Sequence, residues 1–191
     1  MDYDRSMAHR VCPWWLGYFL LSPFRRRGQN PEKILSPYVR EAMTVLEPGP
    51  GMGFFTLELA RRVGPSGKVI AVDIQEKMLK KLKQRAAKAG LSERLQTRLA
   101  AAESLGIADL AGSIDFTLAF AVVHEFPDAA RFFAEVAAAS KPGATVLFAE
   151  PSGHVKAHEF DAELEAASAA GFDVTSRPSI RRCQAALLKK K

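Results

Sequence analysis

Two acids flank a set of closely spaced glycines, and their spacing suits ligand chemistry. The stretch VLEPGPGMGFFTLELA runs from Val45 to Ala60. Glu47 closes a short β-rich run, Gly49, Gly51 and Gly53 follow, and a helix-like run begins near Phe54. A dinucleotide fingerprint reads G-x-G-x-x-G, and its third glycine would fall on Phe54, so that pattern fails. Glu47 would also repel a pyrophosphate, whereas it would attract an ammonium group. Glycines let backbone approach a ligand closely and accept positive φ. The helix start beyond them offers unsatisfied N–H groups and a positive dipole end, which suit a carboxylate. The loop therefore suits a ligand carrying both an ammonium and a carboxylate. Asp73 ends the run KVIAVD about twenty residues later, where an acid accepts the two hydroxyls of a ribose. Its competing reading is a helix cap, since Asp73 and Glu76 stand at capping-box spacing.

Further candidates lie downstream. His124, in AFAVVHEFPD, is the candidate general base, because surroundings tune a histidine across neutral pH. Its competing reading is a structural histidine hydrogen-bonded at a strand end, and Glu125 is equally ambiguous. Glu150, in LFAEPSGH, closes another β-rich run at the sheet edge where ligands bind, and either faces an acceptor or caps a loop. His154 and His158 are four apart and would share a helical face. Without an H-E-x-x-H pattern or a third strong ligand nearby, no metal site is expected.

The elements that must position these residues alternate regularly. Strands are expected at Thr44–Glu47, Lys68–Asp73, Leu95–Ala100, Ile114–Phe120 and Ala144–Ala149. Between them, Phe54–Val63 places Phe55, Leu59 and Val63 on one helical face, and Gln75–Ala89 does the same with Met78, Leu79, Leu82 and Ala86. Asp128 is expected to cap a helix over Ala129–Ala139, and Gly171 to end one over Lys156–Ala170. Leu99–Ser113 is expected to hold only a short turn or helix. Alternating strands and helices imply an α/β fold with a parallel sheet covered on both faces. Phe172–Ser176 and Cys183–Lys189 are separated by too short a link for a crossover helix, so they should pair antiparallel. Upstream, Asn30-Pro31-Glu32 is a helix start, with the helix expected to reach Val39.

On these residues, VLEPGPGMGFFTLELARRVGPSGKVIAVDIQEKML resembles the cofactor-binding half of class I S-adenosylmethionine-dependent methyltransferases, closest to their UbiE-like small-molecule branch. The resemblance spans roughly Thr44 to Gly171. It implies a Rossmann-like, doubly wound seven-stranded sheet with an antiparallel last strand, and S-adenosylmethionine as cofactor. It places Glu47, Gly49, Gly51, Gly53, Asp73 and Ile74 around that cofactor. The family often has an acid after the third strand for the adenine amino group; Ala101 stands there instead. Backbone near Ala102 and the carboxylate of Glu103 are the two substitutes. Ala119 and Phe120 would sit beside the cofactor, and His124 would face the acceptor or cap the pocket. Methyl transfer needs mainly positioning and a dry cavity, so a missing catalytic triad is no objection.

Length and composition suit one folded domain at 44–191, preceded by a helical and aromatic extension over 1–43. Trp14, Trp15, Tyr18 and Phe19 in that extension are candidate walls of an acceptor pocket. VCPWWLGYFLLSPF is too short and too interrupted by proline and glycine to span a membrane. Cys12 and Cys183 form no ligand pair, which fits a reducing, cytoplasmic setting and disfavours thiol-based metalloid chemistry. The net charge of +6 raises nucleic acid as an alternative acceptor. The segment AVVHEF stands where base-amino methyltransferases carry an N-P-P-Y-like motif, so a small or lipid-like acceptor is favoured. A non-catalytic alternative has the aromatic segment and Arg25–Arg27 docking on a membrane surface or partner. A monomer and a homodimer are both compatible.

Overall fold

The computed structural model describes Leu21 and residues 23–191. Trp14, Trp15, Tyr18 and Phe19 lie outside the described residues. Seven strands form one sheet: β1 Thr44–Pro48, β2 Lys68–Asp73, β3 Leu95–Leu99, β4 Ile114–Phe120, β5 Ser140–Pro151, β6 Phe172–Ser176 and β7 Cys183–Lys190. Their spatial order is β3-β2-β1-β4-β5-β7-β6. β7 runs antiparallel to both neighbours, as the short link predicts, and the other pairs are parallel. The helices are α1 Pro23–Gly28, α2 Pro31–Leu35, α3 Thr56–Arg62, α4 Glu76–Lys88, α5 Ala129–Ala139 and α6 Ala157–Ala169. Single 3-10 turns lie at Ala108–Leu110 and Val123–Glu125.

Both faces of the sheet are covered, so its central strands are apolar almost throughout. Along β5 the side chains alternate between layers. Val146 and Phe148 join one cluster with Phe133 and Phe160, while Leu147 and Ala149 join the other with Phe116 and Leu59. Leu35 and Val39 are buried in that second cluster, so the described part of the extension packs onto the domain.

Local chemistry sets the ends of elements. Asn30 and Asp128 cap α2 and α5 by accepting backbone N–H bonds, as their types predict. Gly171 follows α6 at φ 93°. Two expectations need correction. α2 stops at Leu35 instead of Val39: Ser36 still has helical geometry, but Pro37 has no N–H to continue the ladder, and the chain goes on as a turn. β5 begins at Ser140, four residues early. Its pairing with β4 shifts register between Ile114 and Phe116, which absorbs Pro142 and Gly143 at the strand entry.

Candidate active site

Strand order reverses between β1 and β4, and ligands bind at such switch points, beyond the carboxyl ends of the strands. A pocket opens there. Glu47 from β1, Gly49 and Gly51 from the following loop, Asp73 from the end of β2 and Phe120 from the end of β4 all line it. Ile74 and Ala102 line it as well.

The loop is tied in place by its own backbone. Gly49 N–H donates to the Val72 carbonyl at 2.8 Å, and Gly53 N–H to the Pro50 carbonyl at 3.0 Å. The Arg85 guanidinium donates to the Met52 carbonyl. All three glycines have positive φ. Their roles differ. A Cβ on Gly51 would meet nothing within 4 Å, whereas one on Gly53 would lie 2.5 Å from Leu82 Cδ1 of α4. Gly51 leaves open space at the pocket, while Gly53 allows loop and helix to pack together and does not line the pocket.

Glu47 is 3% exposed, and its Oε2 has no hydrogen-bond partner. Burial raises its pKa to about 8; nearby Thr56 opposes that shift and the charge of Asp73 adds to it. Asp73 Oδ1 accepts the Gln75 N–H at 2.8 Å. Burial raises Asp73 to about 6, against backbone N–H bonds from Gln75, Gly51 and Ile74. The competing reading of Asp73 and Glu76 as a capping box is not met: Gln75 is the N-cap of α4, and its side chain makes no cap hydrogen bond. A buried carboxylate lacking a partner is costly unless a ligand supplies one.

The remaining sequence candidates lie around this pocket rather than in its wall. Glu103 is exposed, and Ala119 is buried in the core beneath. His124 stands one residue before Glu125 and two before Phe126, which do line the pocket. Its Nδ1 meets Glu150 Oε2 at 2.5 Å, and its ring lies 6.1 Å from that of His154. Glu150 is fully buried, and its Oε1 accepts the Val123 N–H at 2.8 Å. Burial alone would lower the His124 pKa. The hydrogen bond and charge of Glu150, with the charges of Glu125 and Glu163, more than reverse this and leave it raised. Among the described residues, no group of three His, Cys, Asp or Glu is arranged to hold a metal. No described helix is long and apolar enough to cross a membrane.

Several pocket residues escape the sequence reading. Phe54, which breaks the dinucleotide pattern, lines the pocket, and so does Arg25. Ala121 adopts φ 55° at the end of β4, a costly geometry for a residue other than glycine. The shape of that strand end carries no signal in the sequence.

Residues 40–182 match the family model described as a methyltransferase domain. The chain belongs to this family. It is an S-adenosylmethionine-dependent methyltransferase of class I, and the orphaned Glu47, the open Gly51 and the acidic end of β2 fit that cofactor. A S-adenosylmethionine-dependent methyltransferase from Aquifex aeolicus shares the fold with a TM-score of 0.83 at 23% identity, covering 95% of this chain and 100% of that one. A S-adenosylmethionine-dependent O-methyltransferase from Thermotoga maritima gives 0.65 at 21% identity, covering 84% of this chain and 64% of that one. An arsenite methyltransferase from Halobacterium salinarum is 33% identical over 107 residues, or 56% of this chain. This chain spans only 27% of the length of that relative.

Proposed function

We propose that this methyltransferase acts on a small-molecule acceptor. The observation that carries the reading is that Glu47 and Asp73 line one pocket together with Gly49 and Gly51. In it, Glu47 receives the ammonium of the donor, Asp73 its ribose hydroxyls, and backbone at Ala102 the edge of its base. When bound, S-adenosylmethionine supplies an electrophilic methyl group on a sulfonium and leaves as a neutral thioether. The chain's own work is to orient the reactants and exclude water, and good orientation is worth up to ~7–11 kcal/mol. Phe54, Phe55 and Phe120 supply an apolar wall for the transfer zone. His124 enters as a positioning residue: with Glu150 it fixes the turn Val123–Glu125, whose last residue is in the pocket wall.

A small acceptor is supported by the arsenite methyltransferase relative, though only over the shared segment. Cys183 gives that particular substrate no support. Burial raises its thiol to about 11, so at neutral pH it is not a thiolate. Two measurements test the proposal. Calorimetry with S-adenosylmethionine and S-adenosylhomocysteine should show binding by folded protein. Transfer of a labelled methyl group should then mark a small-molecule extract rather than RNA. Absence of binding by a chain with native circular dichroism overturns the cofactor site. Label entering RNA, with transfer falling steeply with salt, overturns the acceptor class.

A further inference from the structure

The positive charge of the chain is concentrated on one helix. α4 carries five lysines and Arg85 against the single acid Glu76. Its net charge is close to the +6 of the whole chain. Met78, Leu79, Leu82 and Ala86 are buried, and Arg85 donates to the Met52 carbonyl of the glycine loop, so the lysines are left on the outer side. Lys80, Lys81, Lys83 and Lys88 are exposed, and none of them forms an ion pair with a described acid. Lys80 stands three residues from both Lys77 and Lys83, a spacing at which like charges weaken a helix. An extended anion lying across the face relieves that repulsion.

A second feature lies beside the lysines. β3 is an edge strand of the sheet, and Leu95 at its start packs with Leu79 and Leu82 of α4. Residues two and four further along a strand share that side, so Leu99 projects on the α4 side as well. It is 61% exposed, the more open of the two large apolar side chains left on the described surface. The pocket borders the same face. Gln75 and Met78, at the start of α4, line it, and so does Ala100, next to Leu99.

We propose that the face made by α4 and the end of β3 docks on an anionic membrane surface, with the lysines over lipid headgroups and Leu99 in the interface. A lysine cluster on a helix gathers anionic headgroups, and an adjoining apolar side chain gains by entering the interface. The make-up of the face separates this partner from a nucleic acid. Single strands are held by aromatic stacking, and α4 has no aromatic residue. An exposed leucine adds nothing to phosphate binding, whereas a bilayer takes it up. Docking there sets the pocket beside the bilayer, so the small acceptor is one dissolved in or anchored to the membrane; that consequence rests on the methyltransferase reading.

The test is co-sedimentation of the full chain with vesicles of phosphatidylcholine alone or with about 30% phosphatidylserine, which makes the surface potential negative. Wild type should bind only the anionic vesicles, and rising salt should weaken the binding. Lys80→Gln, Lys81→Gln and Lys83→Gln together should cost about fivefold per lysine, on the order of 100-fold in all. The matching triple arginine variant keeps the charge and should bind as wild type does, which separates charge from a folding defect. Leu99→Ser should bind several-fold more weakly, by a ratio that salt does not change. Equal binding of wild type and the glutamine triple to anionic vesicles, or no binding by wild type, overturns the proposal. So does tighter binding of a mixed-sequence RNA that Leu99→Ser leaves unchanged, since the partner is then a nucleic acid. Calorimetry with S-adenosylhomocysteine in the absence of vesicles tests the methyltransferase reading separately. Failure there strikes the acceptor consequence and leaves the docking face standing.

Discussion

His124 Nδ1 and Glu150 Oε2 stand 2.5 Å apart at the edge of the pocket, and the other oxygen of Glu150 holds the Val123 N–H at 2.8 Å. One buried carboxylate thus fixes both the ring and the backbone of the turn that enters the pocket wall. Glu150→Ala leaves that N–H without its acceptor, a cost of about 1–3 kcal/mol. The melting temperature should fall by about 2–4 °C per kcal/mol. Glu150→Gln keeps an acceptor oxygen and should lose less. The His124 pKa is raised in the folded protein, so its contribution to stability is complete below its unfolded value. It is lost as pH rises through the folded value. Urea unfolding at pH 6 and pH 9 should show the wild-type advantage over Glu150→Gln shrinking at the higher pH.

Donor binding should release a proton. Glu47 has a pKa of about 8 in the ligand-free protein, so it is mostly protonated at neutral pH. An incoming ammonium favours the anion. Affinity for S-adenosylhomocysteine should therefore tighten from pH 6 to pH 8, by up to about tenfold per unit, and level off above. Calorimetry in buffers of different ionisation enthalpy reads the proton directly. Glu47→Gln should bind more weakly and release none. An affinity independent of pH in wild type would contradict the assignment. Stability without ligand runs the other way. A raised carboxyl pKa means that stability falls as pH climbs from the unfolded value toward 8.

Glu163 of α6 carries a buried oxygen with no hydrogen-bond partner. Burial and the charge of Glu150 raise its pKa to about 7, against the pull of His124. At pH 8 the folded protein holds it ionised at a cost that the unfolded chain does not bear. Glu163→Gln should therefore stabilise the protein at pH 8, by about 1 kcal/mol after allowance for partial exposure, and change little at pH 5. Thermal melts at the two pH values check this. A gain that is equal at both would point to packing instead of charge.

The acid–glycine–acid pattern was legible because each part is local. A strand end, a loop and the next strand end lie within thirty residues, and their positions follow from periodicity and residue type. The His124–Glu150–Glu163 cluster was not legible as a cluster. Its members come from the turn after β4, the end of β5 and α6, and only the strand order brings them together. Arg25 was concealed for a different reason. It stands in a run of three arginines whose sequence suggests an outward docking surface, and only its contact with Phe54, across the fold, shows that it turns inward. The resemblance carried the sheet topology, while the antiparallel final pair followed from link length alone.

Glycine substitutions separate the ligand-facing part of the loop from its packed part. Gly51→Ala adopts φ 54° at a cost of about 1–2 kcal/mol, but its methyl meets nothing within 4 Å. The fold should persist. If the backbone of Gly51 faces the donor, that methyl occupies ligand space, and S-adenosylhomocysteine affinity should drop at least about tenfold, equivalent to 1.4 kcal/mol. Gly53→Ala puts its methyl 2.5 Å from Leu82 Cδ1, so the buried Leu82 side chain, α4 or the loop must shift. Overpacking adds about 1–3 kcal/mol to the same backbone strain, and stability should fall further than in Gly51→Ala. Thermal melts should thus rank wild type above Gly51→Ala above Gly53→Ala. Calorimetry at a temperature where all three are folded should show the largest loss of affinity per unit of lost stability in Gly51→Ala. If Gly51→Ala binds as wild type does, the donor does not approach this part of the loop, and Glu47 and Asp73 are left as the anchors.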